Sequence, residues 1–171
     1  MTATANDTVI RTVTPADAQL LHTLAVACPP LSVHTPYTYW VQAFYFHEQC
    51  FVAERGDEPI GFLTSITGGG RVLLWQIGVL SEHRHQEVAQ RLIAAVAGWA
   101  RQRGYDAIDV SIDPANQASR RAFWHFAQRT GGALEPIGAL DLRDPADPSF
   151  RETEELLALR FGAVPPVMSD D

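Results

Sequence analysis

The run V-L-L-W-Q-I-G-V-L, residues 72–80, passes through a short turn into the segment E-V-A-Q-R-L-I-A-A-V-A-G-W-A-R-Q-R, and this junction restricts the fold more than any other stretch. The first segment reads as a largely buried strand. The second puts Val88, Leu92, Ala95, Val96 and Trp99 on one helical face and stops at Gly104. A strand that feeds a helix packing back on its own sheet must cross over to a parallel neighbour. That neighbour is D-A-I-D-V-S-I, residues 106–112, which alternates apolar and polar positions, and a further helix follows over 114–129.

Ahead of the junction, residues 8–13 alternate as a first strand, and a helix follows with Thr14 as N-cap and Pro15 in its first turn. A second, unusually aromatic helix is expected over 36–49. The strands C-F-V-A-E-R and I-G-F-L-T-S-I-T form a hairpin around Gly56-Asp57, and Gly68-Gly69-Gly70 makes the next turn. Beyond the last helix come a short strand over 133–137, a Pro/Asp-rich loop over 141–150 and a final strand over 155–161. The order β-α-α-β-β-β-α-β-α-β-β is that of an α/β domain with early antiparallel hairpins and later crossovers. One domain over residues 1–162 is expected, followed by a disordered acidic tail over 163–171.

Charge narrows the ligand. The net charge is −7 and all 13 basic residues are arginine, yet the segment from Arg84 to Arg129 alone is +3 and the remainder −10. A basic middle in an acidic chain points to an anionic ligand there; arginines on solvated helix faces are the plain alternative. No apolar run approaches the roughly 18 residues of a membrane span. The start M-T-A-T-A-N-D-T lacks the pattern of a secretory leader, so a cytoplasmic location is expected. Cys28 and Cys50 lack zinc-site spacing and read as reduced thiols, and no metal is expected.

The strand-turn-helix unit, with Asn116-x-x-Ser119 opening the next helix, resembles the GCN5-related N-acetyltransferase (GNAT) superfamily and, more closely, the L-2,4-diaminobutyrate acetyltransferases of ectoine synthesis. The resembling stretches are A-C-P-P-L at 27–31, C-F-V-A-E-R at 50–55, W-Q-I-G-V at 75–79, D-P-A-N-Q-A-S-R-R-A-F at 113–123 and, loosely, T-E-E-L-L-A-L-R at 153–160. The resemblance implies a GNAT fold, a mixed, mostly antiparallel sheet of about seven strands with about four helices. It implies acetyl-CoA as acyl donor and a small-molecule amine as acceptor; a homodimer is expected separately, from the aromatic second helix. Donor contacts would come from Ile77 and Val79 of the strand and from the turn Arg84-His85-Gln86-Glu87-Val88-Ala89. Asn116, Ser119 and Phe123 would flank the thiol arm, Phe123 standing where many members have a tyrosine.

Two departures fall where chemistry is expected. The family turn has glycine where this chain has Glu87, and the acceptor loop reads Ser32-Val33-His34-Thr35 where the diaminobutyrate enzymes have an aspartate at the first position. A carboxylate facing a pyrophosphate would weaken it; Glu87 turned to solvent as a helix-start residue, or neutralised by Arg84, His83 or His85, would not. Losing the aspartate disfavours a diamino acid against a less cationic acceptor. Ser32, His34, Thr35, Tyr39 and Trp75 are the acceptor-binding candidates. His34, Trp75, Gln76 and either Glu154 or Glu155 are the catalytic ones, with His34 as a candidate base. The aromatic residues of the second helix, Tyr37 to Phe46, exceed one core face and are expected to line the acceptor pocket or a dimer interface. Two alternatives stand beside acetyl-CoA-dependent transfer: a transferase that takes its acyl group from charged tRNA, and an inactive relative that binds a metabolite.

Overall fold

The computed structural model describes residues 8–85 and 87–162, so Gln86 and the acidic tail expected over 163–171 lie outside the described residues. Seven strands form one sheet: β1 (Thr8–Thr12), β2 (Phe51–Arg55), β3 (Glu58–Gly68), β4 (Arg71–Val79), β5 (Ala107–Ile112), β6 (Ala133–Asp144) and β7 (Asp147–Arg160), in the order β1-β2-β3-β4-β5-β7-β6. All neighbours are antiparallel except β4 and β5. Helices α1 (Ala18–Val26) and α2 (Pro36–Tyr45) cover one face; α3 (Val88–Gln102) and α4 (Gln117–Arg129) cover the other. No helix among the described residues is long and apolar enough to cross a membrane.

Strand alternation builds both cores. On β2, Phe51 and Ala53 face α3 while Val52 faces α1 and α2; on β3, Leu63 and Phe62 divide in the same way. Helix α3 buries Val88, Leu92, Ile93, Val96, Ala97 and Ala100, with Ala95 and Trp99 packed at the margin, as its period requires. Cys28 and Cys50 are both free and buried, and burial pushes the Cys50 thiol up to about 12. Gly78 is required by packing: a Cβ there would lie 2.7 Å from a ring carbon of Phe62 and 3.2 Å from the Cβ and Sγ of Cys28.

Three sequence expectations need correction. The helix expected from Pro15 opens as a 3-10 turn, Pro15–Asp17, in which Asp17 accepts from the backbone N–H and hydroxyl of Thr14 at 2.8 and 2.9 Å. The second helix ends at Tyr45, and residues His47–Gln49 form a separate 3-10 turn. The Pro/Asp loop over 141–150 is instead part of a hairpin that pairs Asp141 with Thr153, Leu142 with Glu152 and Arg143 with Arg151. Proline is tolerated here because each strand has a free edge: β6 is the sheet's last strand, and β7 pairs with β5 only from Glu155 onward. Asp141 accepts from Arg151 across the ribbon and from Arg143 on its own strand.

Candidate functional site

The site begins where two strands part. β4 and β5 pair only at Leu73–Asp109 and Leu74–Val110, although both strands continue beyond those residues. A bidentate ion pair marks the fork: Arg71 Nε and Nη2 donate to the Asp109 carboxylate at 2.5 and 2.8 Å. Past the fork, the β4 edge that faces β5 has no ladder partner. A cleft of about 630 Å³ opens there, walled by β4, the end of β5, the first turn of α4, the 30–34 loop and β7.

The acceptor wall is a connected network. The register of β3 against β4 skips Trp75, pairing Thr64 with Gln76 and Ser65 with Leu74. This bulge leaves the Trp75 ring 40% exposed in the cleft. Trp75 Nε1 donates to His34 Nε2 at 3.0 Å. An indole N–H can only donate, so this nitrogen of His34 is an acceptor and the neutral ring carries its proton on Nδ1. A base role for His34 at Nε2 therefore requires the Trp75 bond to open. Gln76 donates from Nε2 to the Ser32 carbonyl at 2.5 Å and accepts from the Tyr39 hydroxyl at 3.1 Å. The same Tyr39 oxygen accepts from the His34 backbone N–H at 3.2 Å. Burial raises the Tyr39 phenol above its ordinary value, partly opposed by these hydrogen bonds, so it stays protonated as a donor.

Of the expected acceptor-binding residues, Ser32, His34 and Trp75 line this cleft, as do Gln76 and Glu154 of the expected catalytic ones. Two of the former do not. Tyr39 is fully buried behind Gln76 and supports the wall, and the Thr35 hydroxyl bonds the Thr38 hydroxyl at the start of α2. Alternation along β7 puts Glu154 and Glu155 on different faces. Glu154 turns into the cleft with Glu152, whereas Glu155 points to the opposite face of β7 and pairs with Arg120 of α4. Nor do the exposed α2 aromatics line the cleft; Tyr37 stacks on Trp40 and Trp40 on Phe44.

On the donor side, Ile77, Asn116, Ser119 and Phe123 line the cleft. Val79, Arg84, His85, Glu87, Val88 and Ala89 lie outside its wall, where β4 runs on toward α3. The Arg84 guanidinium is turned back, donating to the carbonyls of Val79 and Pro29 at 3.2 and 2.9 Å, and so ties the C-P-P-L loop to the end of β4. His85 and Glu87 both have positive φ, +66° and +60°, so the turn holds at position 87 a left-handed conformation that suits glycine. Arg91 N–H makes the first helical bond, to Glu87. The N–H groups of Val88, Ala89 and Gln90 come before it, and among the described residues no side chain caps α3. By contrast, α4 is capped by Asn116, whose side chain accepts from Ser119 N–H at 3.1 Å. The Glu87 carboxylate is exposed and pairs with Arg129 of α4 at 3.0 Å, not with Arg84, His83 or His85. Among the described residues, no group of three or more His, Cys, Asp or Glu is arranged to hold a metal ion.

Sequence reasoning missed Glu152 and Arg129. Reading residues 147–160 as one strand would have placed Glu152 on the Glu154 face by its spacing of two. No local signal joins Arg129 to Glu87.

Comparison with known proteins agrees with this architecture. The acetyltransferase (GNAT) family profile matches residues 18–127. L-2,4-diaminobutyric acid acetyltransferase of Streptomyces coelicolor is 31% identical over 140 residues, 79% of this chain and 82% of that protein. The Halomonas elongata protein of the same name is 32% identical over 124 residues, 70% of this chain but only 65% of the relative's length. Among solved structures, diaminobutyrate acetyltransferase from Paenibacillus lautus, in complex with L-2,4-diaminobutyric acid and coenzyme A, superposes with a TM-score of 0.72 at 22% identity, covering 92% of this chain and 98% of that one. The ribosomal-protein-S18-alanine N-acetyltransferase from Escherichia coli gives a TM-score of 0.73 at 12% identity, covering 94% and 98%. On its sequence and its fold alike, the chain belongs to the GNAT acetyltransferase family.

Proposed function

We propose that this protein transfers an acetyl group from acetyl-CoA to the primary amine of a small molecule. The observation that carries the reading is the fork between β4 and β5, which opens one cleft between the first turn of α4 and the Trp75–His34 wall, with the start of α3 outside that wall where β4 runs on. The donor's diphosphate suits the first-turn N–H groups of Val88, Ala89 and Gln90 and the dipole of a 15-residue helix. Glu87 is compatible with that anion because it is neutralised by Arg129. Ile77, Asn116, Ser119 and Phe123 offer a mixed apolar and polar channel for the thiol arm.

When bound, the donor supplies an activated acyl carbon. The protein's part is to hold a neutral amine beside it, with Trp75 and the loop carrying Ser32 and His34 as the acceptor wall. Backbone N–H groups on the β4 edge beyond its pairing with β5 suit the developing oxyanion. The departing thiolate takes the amine proton, and Glu154 is one of three carboxylates lining the cleft that can meet a cationic acceptor. Transfer from charged tRNA loses support, because the basic middle is largely engaged. Arg103, Arg120 and Arg129 pair with Glu48, Glu155 and Glu87, Arg84 is held by backbone carbonyls, and Arg101 by the Gly162 carbonyl.

The exposed stack Tyr37–Trp40–Phe44 supports a homodimer built on α2, and two buried free thiols fit a reducing cytoplasm. Trp40→Glu should then convert a dimer to a monomer by light scattering. Calorimetric titration with acetyl-CoA tests the donor assignment. Saturable binding is expected, and heat indistinguishable from dilution at millimolar donor would refute it.

A further inference from the structure

We infer that the acceptor is a di- or polyamine that carries no carboxylate, a conclusion that rests on the amine-acetylation reading and sharpens it. Among the described residues, the cleft is lined by three carboxylates, Glu152 and Glu154 on β7 and Asp113 at the end of β5, and by no arginine; the chain has no lysine. Arginines on the neighbouring elements lie outside the cleft wall. Arg120 is on the opposite face of β7 with Glu155, and Arg143 and Arg151 hold Asp141 at the outer end of the hairpin. His34 contributes no cation while its Nε2 accepts from Trp75. An amino-acid acceptor would bring an α-carboxylate into this negative cleft with no cationic side chain to meet it. Desolvating an unpaired anion beside like charges is unfavourable on both counts.

A second ammonium is met well. Glu152 and Glu154 stand two residues apart on one face of a strand, so both carboxylates project to the same side. The half-exposed Trp75 ring offers a π-face for the same charge. Asp113 is partly occupied, accepting from the Ala115 N–H at 2.8 Å, which leaves the β7 pair as the main counter-charge. These carboxylates also replace the charge that Ser32 lacks, so the less cationic acceptor expected from the sequence gives way to a more cationic one. In the reaction one nitrogen attacks as the neutral amine. Its N–C bond forms as the acyl C–S bond breaks, its proton passes to the departing thiolate, and the other nitrogen remains an ammonium held by the β7 pair.

The test compares kcat/KM, followed by thiol release from acetyl-CoA, for three acceptors. They are L-2,4-diaminobutyrate, the diamine that differs from it only by lacking the carboxylate (trimethylenediamine), and propylamine, which lacks the second nitrogen. The diamine is expected to exceed both others by about tenfold or more, and the Glu152→Gln, Glu154→Gln double variant to lose most of its advantage over propylamine. Both positions are solvent-accessible, so the variant should fold, and circular dichroism checks this. Diaminobutyrate turned over as well as the diamine would overturn the inference and leave acetyl transfer intact. No transfer to any of the three, with acetyl-CoA still bound, would overturn the amine-acetylation reading and this inference with it.

Discussion

Replacing Glu87 by glycine measures what a carboxylate at the donor turn does. A carboxylate about 5 Å from a phosphate charge, at an effective dielectric near 20, costs roughly 3 kcal/mol, or about a hundredfold in affinity. The structure removes most of that. The Glu87 side chain is 67% exposed and its charge lies 3.0 Å from the Arg129 guanidinium. At the dielectric of water the bare repulsion falls to about 1 kcal/mol, and the paired cation offsets part of it. Glu87→Gly should therefore raise the affinity for CoA by no more than about fivefold. Arg129→Ala, which frees the carboxylate, should lower it by a similar factor, and the double variant should recover. The φ of +60° at Glu87 adds a second term. A side chain in the left-handed region costs about 1 kcal/mol, but glycine gives some of this back through the freedom of the unfolded chain, so stability should change little. Calorimetry with CoA at low and high salt reads the first effect and thermal melts the second. A hundredfold gain for Glu87→Gly, insensitive to Arg129, would refute the reasoning, because it would mean that the carboxylate faces the diphosphate.

Gly78→Ala should destabilise the fold by about 1–3 kcal/mol in urea titrations, because its methyl group must displace the buried Phe62 ring or Cys28. Tyr39→Phe leaves Gln76 Oε1 and the His34 N–H without their partner. A loss of about 1–3 kcal/mol of stability is expected, with KM for the acceptor rising while KM for acetyl-CoA holds. Burial acts to raise the Asp17 carboxyl, but hydrogen bonds from Arg11 and Thr14 outweigh it and hold the group below the ordinary aspartate value. Its stabilisation is thus complete above that ordinary value and lost as pH falls through the depressed one. Asp17→Asn should flatten that acid limb of the stability profile.

Much of the fold was readable because local signals agreed with global ones: the α3 period, the β2–β3 hairpin turn and the crossover all demand the same sheet. The outer hairpin was not, because Pro and Asp usually mark loops and nothing local shows that β6 and β7 have free edges. Of the cleft wall, W-Q at 75–76, Ser32, His34, Asn116 and Ser119 were legible through family motifs. The phase of β7 was not, since Glu154 and Glu155 differ only in the face they take, and Arg120 decides it from another element. Tyr39 was misplaced for a related reason: sequence does not distinguish an aromatic that touches ligand from one that braces the wall behind it. The Glu87–Arg129 pair joins residues 42 apart through the contact of α3 with α4, beyond any reading of the turn alone.

The most direct test of the central claim is release of free thiol from acetyl-CoA by the purified protein, with and without added diamine. Release should depend on the amine, saturate with it and fall sharply in Trp75→Ala. Saturable binding of acetyl-CoA without amine-dependent release, across the diamine and its mono-amine and amino-acid counterparts, would contradict it and leave a protein that binds the donor and does no transfer.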